Sequence, residues 1–185
     1  RHAGDDSTNK ILVGTVEEST RRGAAGVSVQ VNMGSPNEAA MIERLGIVSN
    51  DCHRLNVPLL GMIYPRGENL NIMPDDDTKA ISHAARLAFE MGCDVVKTQW
   101  TGDASSFAKV CKSVPIPVLI AGGPSGASIE ETLSIVYQAI RAGGAGVCMG
   151  RQVFSNDHPG RVVKALRAIV HDGLEVPDAI KVAGL

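Results

Sequence analysis

The sequence has 185 residues, of which 44% are hydrophobic and 21% charged, a composition typical of one globular domain. A formal charge of −2 gives no electrostatic reason to expect nucleic acid or an anionic membrane as a partner. No apolar run approaches the roughly 20 residues that cross a bilayer, and no signal-peptide pattern opens the chain, so we expect a cytoplasmic protein.

Five short aliphatic runs predict parallel β-strands that are buried on both faces, because each run is bounded by Gly or Pro. In chain order they are residues 26–32, 58–63, 94–98, 117–121 and 146–150. Successive runs start about 23 to 36 residues apart, which is the length of one strand-plus-helix unit. The sequence therefore predicts a single α/β domain of repeated βα units.

Capping signals predict the helices between these strands. Thr15 precedes Glu18 by the three residues of a capping box, and Ser35 followed by Pro36 provides a second helix start. Further helices are predicted to begin at residues 75–77, at Ser105, at Ser128 and, for the last one, at Pro159.

The cysteines and histidines show neither a disulfide framework nor metal-ligand spacing. The four cysteines are far apart and include no C-x-x-C pair, which is typical of reduced thiols in a cytosolic protein. No two of the five histidines have the spacing of metal ligands. We therefore expect neither a metal nor another cofactor.

Lys97 is the strongest candidate for a catalytic residue, because ligands of parallel α/β proteins bind at the C-terminal ends of the strands. It follows Val95 and Val96 at such an end, where the surrounding wall is expected to be apolar. Desolvation lowers the pKa of a lysine, and a neutral amine can attack a carbonyl carbon to form a Schiff base. The alternative is a lysine that reaches solvent or holds a structural ion pair.

Other strand ends carry side chains that could complete a pocket around Lys97. Tyr64 offers a phenol for proton transfer, although a tyrosine that only packs and bonds to backbone is the commoner case. Asn32 and Arg66 follow the first and second strands. Trp100 follows the third, where it either lines the pocket or covers its rim.

Glycine-containing pairs at the ends of the last two strands indicate a phosphate site. Gly122 and Gly123 follow the fourth strand, and Gly150 and Arg151 follow the fifth. Glycine lets backbone N–H groups approach an anion, and Arg151 adds a positive charge. The alternative is that these glycines only allow tight turns between strand and helix.

Seven short motifs in this order resemble those of a known enzyme family. They are VGTVEE (13–18), VSVQVNMGS (27–35), YPRG (64–67), VKT (96–98), TGD (101–103), AGGP (121–124) and GR (150–151). The set covers nearly the whole chain and resembles the archaeal-type class I aldolases of the DeoC/FbaB group.

This resemblance implies a TIM (β/α)₈ barrel and a metal-independent Schiff-base mechanism. Lys97 matches the Schiff-base lysine of the family, and Tyr64 matches its general acid/base. The phosphate-binding loops after strands seven and eight of the family are matched by Gly122, Gly123, Gly150 and Arg151. Two departures are Ser125, where the family often has lysine, and Trp100, where many members have tyrosine.

Within the family, residues 27–35 and 62–67 look more like the 2-amino-3,7-dideoxy-D-threo-hept-6-ulosonate synthases than like the fructose-1,6-bisphosphate aldolases. This implies a phosphorylated sugar or ketose substrate, with aspartate semialdehyde as a second substrate, in aromatic amino acid biosynthesis or secondary metabolism. Family members are commonly homo-oligomers, and we expect the same here.

Other functions are compatible with part of the pattern. Fructose-1,6-bisphosphate aldolase is the nearest alternative, followed by a phosphate-binding barrel without catalysis. A flavin- or nucleotide-binding barrel would share the glycine loops but give Lys97 no role. A homologous thiolase shares Gly150 and Arg151 but lacks the YPRG motif.

The length of the chain leads to a further expectation. A (β/α)₈ barrel typically takes about 250 residues, whereas this sequence has 185 residues and five predicted βα units. We expect residues 1–185 to be one barrel domain that covers about the last five units. About three strands, with an aspartate that the family places near its first strand, are then expected upstream.

Overall fold

The computed structural model describes residues 8–70, 77–122 and 127–185. Within them lies one parallel sheet whose strand order, β1-β2-β3-β4-β5, is also the chain order. The strands are β1 (Val27–Met33), β2 (Leu59–Pro65), β3 (Val95–Thr98), β4 (Val118–Ala121) and β5 (Gly146–Cys148). The predicted α/β architecture of successive βα units is confirmed, with strand ends shifted by one or two residues.

Eight helices occur in the described ranges. They are α1 (Val16–Arg21), α2 (Glu38–Leu55), α3 (Asp77–Glu90), α4 (Ala104–Lys112), α5 (Ile129–Arg141), α6 (Arg151–Phe154), α7 (Pro159–Asp172) and α8 (Val176–Ala183). Helix α8 was not predicted, because Pro159 was taken to begin the last helix. It packs against α7 and buries Ala179 and Ala183. None of these described helices is both long and apolar enough to cross a membrane.

Two predicted helix starts are confirmed by their hydrogen bonds. The Thr15 hydroxyl accepts from the Glu18 N–H at 3.1 Å. Ser128 and Glu131 form a reciprocal capping box at the start of α5. Each interaction satisfies backbone N–H groups that a helix N-terminus otherwise leaves unpaired.

Two other predicted starts are wrong. Helix α2 begins after Asn37, while the Ser35 hydroxyl accepts from the Asn37 N–H within the preceding turn. Helix α4 begins after Asp103, whose carboxylate accepts from two backbone N–H groups. An aspartate cap carries a charge that a serine lacks, and it also complements the helix dipole. Of the predicted start at residues 75–77, only Asp77 lies within the described residues, and α3 begins there.

The two faces of the sheet differ in how they are covered. Val31, Ile63, Val96 and Ile120 are fully buried. A Cβ built on Gly61, on the same face, would lie 3.2 Å from Cβ of Ala88 in α3, so this face packs on the helices. The alternating residues form a second face, called here the site face. It comprises Gln30, Asn32, Met62, Tyr64, Lys97, Leu119, Ala121 and Cys148.

Candidate active site

Strand register places Lys97 on the site face between apolar neighbours. Its backbone partners are Met62 on β2 and Leu119 on β4. Lys97 itself is half-buried. The Lys97 side chain therefore starts between two apolar residues, as the sequence at the end of β3 predicted.

Tyr64 lies on the site face of the neighbouring strand β2. It is the next residue on that face after Met62, the register partner of Lys97, and so lies closer to the C-terminal end of the strand. Its phenol is buried, with 5% of the residue exposed, and Lys97 is near enough to lower the pKa of this phenol by its charge and by hydrogen bonding. The structure thus brings together the two residues that the sequence singled out for bond making and proton transfer.

The surroundings of Tyr64 favour the neutral phenol. Burial raises the pKa of Tyr64 above its usual value, because the phenolate would lose its hydration. The positive charge and hydrogen bond of Lys97, together with the charge of Arg66, oppose this rise in the pKa, while Cys148 adds to it. The balance leaves the pKa raised, so Tyr64 carries its proton at neutral pH and can donate it.

The turn that carries Arg66 is fixed to the end of β1. The N–H groups of Arg66 and Gly67 both donate to the Met33 carbonyl, at 3.1 and 2.8 Å. Gly67 lies so close to the Gly34 backbone that a side chain would overlap it. This anchoring places the Arg66 guanidinium over the Tyr64 ring, with Cζ 4.0 Å from the ring centroid.

The residue that follows β4 lies against the short helix α6 that follows β5. Gly122 follows β4 directly, and a Cβ built there would lie 2.7 Å from Cδ of Gln152. Gly150 is the N-cap of α6, and the exposed Arg151 is its first residue. Gly123 and Ser125 lie outside the described residues.

Residues 1–156 match the protein family described as DeoC/LacD family aldolase. The chain is 43% identical over 182 residues to a 2-amino-3,7-dideoxy-D-threo-hept-6-ulosonate synthase of Halobacterium salinarum, covering 98% of this chain and 67% of that protein. It is 41% identical over 173 residues to a 2-amino-4,5-dihydroxy-6-oxo-7-(phosphonooxy)heptanoate synthase of Streptomyces griseus, covering 92% and 61%.

A similar solved structure is an archaeal fructose-1,6-bisphosphate aldolase whose catalytic Lys is covalently bound to the carbinolamine intermediate of the substrate. The TM-score is 0.79 at 31% identity, with 86% of this chain and 63% of that chain covered. The chain belongs to the DeoC/LacD aldolase family. It has the fold of the TIM-barrel aldolases, covers part of the barrel, and spans about two thirds of the length of these relatives.

The remaining predicted pocket residues are held by neighbouring side chains or backbone. Buried Asn32 donates to the Thr8 carbonyl at 2.6 Å and accepts from the Gln30 amide at 3.0 Å. Half-buried Trp100 packs against Phe107 of α4, with ring centroids 5.1 Å apart. The pocket roles of Asn32 and Trp100 stay predictions.

Sequence reasoning missed two residues that lie at the candidate site. Gln152 contacts the Gly122 loop, and its position directly after Gly150 and Arg151 was the available signal. Cys148 lies on the site face beside Ala121 and acts electrostatically on Tyr64. Its alternation with Val147 along β5 could have shown this, but the short strand gives little pattern to interpret.

Proposed function

We propose that this aldolase is a Schiff-base (class I) enzyme that makes or breaks a carbon–carbon bond in a phosphorylated ketose. The observation that carries the proposal is the placement of Lys97 and Tyr64 on the site face of neighbouring strands, where Lys97 acts on the Tyr64 phenol. An amine nucleophile beside a proton-carrying phenol is the arrangement that imine chemistry needs. The covalent lysine of the archaeal relative supports the same chemistry.

In the proposed reaction, the Lys97 amine in its neutral form adds to the ketose carbonyl carbon. Tyr64 gives its proton to the carbonyl-derived hydroxyl, which leaves as water, and a positively charged iminium forms. The bond between the carbons α and β to the iminium carbon then breaks. Its electron pair moves toward the iminium nitrogen and gives an enamine. The Tyr64 phenolate takes the hydroxyl proton of the departing carbon, which leaves as an aldehyde.

The enamine has two possible continuations. Protonation at carbon followed by hydrolysis releases a ketone and restores the Lys97 amine, which is aldolase activity. Addition of the enamine carbon to a second aldehyde, followed by hydrolysis, gives a new ketose, which is transaldolase activity. Because the iminium accepts the electron pair, neither route requires a metal ion.

We assign the anchoring of the substrate phosphate to Gly122, Gly123, Gly150 and Arg151. The contact between Gly122 and Gln152 supports this, because it brings the loops after β4 and β5 to one place. Backbone N–H groups and the Arg151 guanidinium suit a phosphate dianion. Holding the phosphate fixes the carbonyl relative to Lys97, and this ordering lowers the barrier.

The substrate is proposed to be that of a 2-amino-3,7-dideoxy-D-threo-hept-6-ulosonate synthase, with aspartate semialdehyde as the acceptor. The 43% identity to the Halobacterium synthase supports this choice. The second candidate is cleavage of fructose 1,6-bisphosphate, which the archaeal aldolase structure at 31% identity supports. We further propose that residues 1–185 belong to a single barrel domain of a cytoplasmic homo-oligomer.

Turnover assays test the proposal and separate the two substrates. Formation of the heptulosonate from aspartate semialdehyde and a phosphorylated ketose is compared with release of triose phosphates from fructose 1,6-bisphosphate. We expect the first activity, its loss in Lys97→Met, and no effect of a metal chelator. Lys109→Met removes an exposed lysine of α4 and should retain activity. A fully active Lys97→Met protein would contradict the proposal.

A further inference from the structure

The Arg66 guanidinium faces an aromatic ring. Its Cζ lies 4.0 Å from the centre of the Tyr64 ring, within the distance at which a cation and an aromatic face attract. The two hydrogen bonds from the N–H groups of Arg66 and Gly67 to the Met33 carbonyl fix the position of the Arg66 backbone. This contact restrains the phenol ring that lies on the strand next to Lys97.

Among residues 8–70, 77–122 and 127–185, three titratable or charged groups act on the Tyr64 phenol. They are Lys97 from β3, Arg66 from the turn after β2, and Cys148 from β5. Both cations favour the phenolate, whereas Cys148 opposes it. Lys97 must be neutral to attack a carbonyl and is then bonded to the substrate, so its charge changes during the reaction. Arg66 is different, because a guanidinium is not deprotonated in proteins.

We propose that Arg66 is a positioning residue for Tyr64, which holds the phenol ring beside Lys97 and stabilises the phenolate that forms when Tyr64 gives up its proton. The proposal rests on the proton-transfer role given to Tyr64 in the proposed function. Arg66 is the cation that stays beside the phenol while Lys97 is occupied. A general acid or base works best when its pKa is close to the operating pH. The charge of Arg66 lowers the pKa of Tyr64 toward neutral pH.

The ionisation of Tyr64 can be measured without any substrate. The sequence has two tyrosines, so a Tyr137→Phe background leaves Tyr64 as the single phenol. Replacing tyrosine with 3-fluorotyrosine lowers the intrinsic pKa of the phenol, which keeps the titration in a range where the protein is folded. The fluorine NMR shift then reports the titration midpoint.

Arg66→Met removes the charge, and we expect it to raise the Tyr64 midpoint by roughly half to one pH unit. Arg66→Lys keeps a charge but loses the planar stacking, and it should restore part of the shift. Arg141→Met removes one positive charge from the exposed end of α5 and should leave the midpoint unchanged. Circular dichroism confirms that each variant is folded.

Kinetics on the same variants separate this inference from the proposed function. With the active substrate pair, we expect Arg66→Met to lower kcat and to move the alkaline limb of its pH profile upward together with the Tyr64 midpoint. An unchanged Tyr64 midpoint overturns the inference, and a higher KM beside it would show that Arg66 binds substrate instead. Absence of turnover in the unsubstituted protein contradicts the proposed function but leaves the NMR titration as a test of the Arg66 contact.

Discussion

Replacing Gly67 with alanine tests how the YPRG turn is fixed beside the candidate site. The new Cβ would overlap the backbone carbonyl of Gly34 and the backbone nitrogen of Ser35. Backbone atoms cannot move aside as the end of a flexible side chain can. The turn must therefore shift away from β1, and Arg66 moves with it.

The size of the effect follows from what the shift disrupts. Two hydrogen bonds to the Met33 carbonyl are lost or stretched, each worth about 0.5 to 1.5 kcal/mol. The overlap itself adds strain of about 1 to 3 kcal/mol. We therefore expect Gly67→Ala to lower the free energy of unfolding by roughly 2 to 6 kcal/mol.

Denaturant unfolding followed by circular dichroism measures this change. Gly160→Ala is a matched control, because a Cβ built at Gly160 has no atom within 4 Å and the residue lies in the first turn of α7. The control should be neutral or stabilising by up to about 1 kcal/mol. In Gly67→Ala, the Tyr64 titration midpoint should also rise, because Arg66 leaves the ring.

An unfolding free energy within 0.5 kcal/mol of the unsubstituted protein, roughly the size of an ordinary surface substitution, would refute the argument for Gly67→Ala. It would mean that the turn can accept a side chain without breaking its contacts to β1. A destabilised variant with an unchanged Tyr64 midpoint would keep the packing argument and contradict the link from the turn to Arg66.

Two further predictions concern the glycine loop and a buried thiol. In Gly122→Ala, the methyl group displaces the Gln152 side chain; the melting-temperature increase caused by a phosphorylated ketose should shrink, and adding Gln152→Ala should restore part of it. Burial raises the pKa of Cys93 from 9.0 to about 12, so its thiol stays protonated in the folded state while the unfolded state ionises. This contribution to stability is complete below about pH 9 and is lost at about 1.4 kcal/mol per pH unit as the pH rises toward 12. Cys93→Ala should therefore flatten the fall in unfolding free energy above pH 9, while the control Gly160→Ala, which removes no titratable group, should leave that slope in place; equal slopes in Cys93→Ala and the unsubstituted protein would contradict the burial argument.

The strands could be predicted from the sequence because burial on both faces leaves a strong signal. Continuous aliphatic runs predicted all five described strands. Helix starts were less predictable, because several residues near each start can cap it. Ser105 and Asp103 both suit the beginning of α4, and the choice depends on backbone geometry that the sequence does not display.

The candidate site was predictable in its main residues and not in its contacts. Lys97 and Tyr64 could be placed at neighbouring strand ends, because parallel strands share one edge. The stacking of Arg66 on Tyr64 depends on how the YPRG turn packs on Gly34, which is a contact between distant residues. The same reason explains why Gln152 was missed, since its neighbour Gly122 is 30 positions away.

Borohydride trapping is the most direct test of the central claim that Lys97 forms a Schiff base with a phosphorylated ketose. Reduction of the mixture converts an iminium into a stable secondary amine, and peptide mass spectrometry locates the added mass. We predict one adduct, on Lys97, that disappears in Lys97→Met and persists in Lys109→Met. An adduct that survives in Lys97→Met, or turnover without any trapped adduct, would contradict the account.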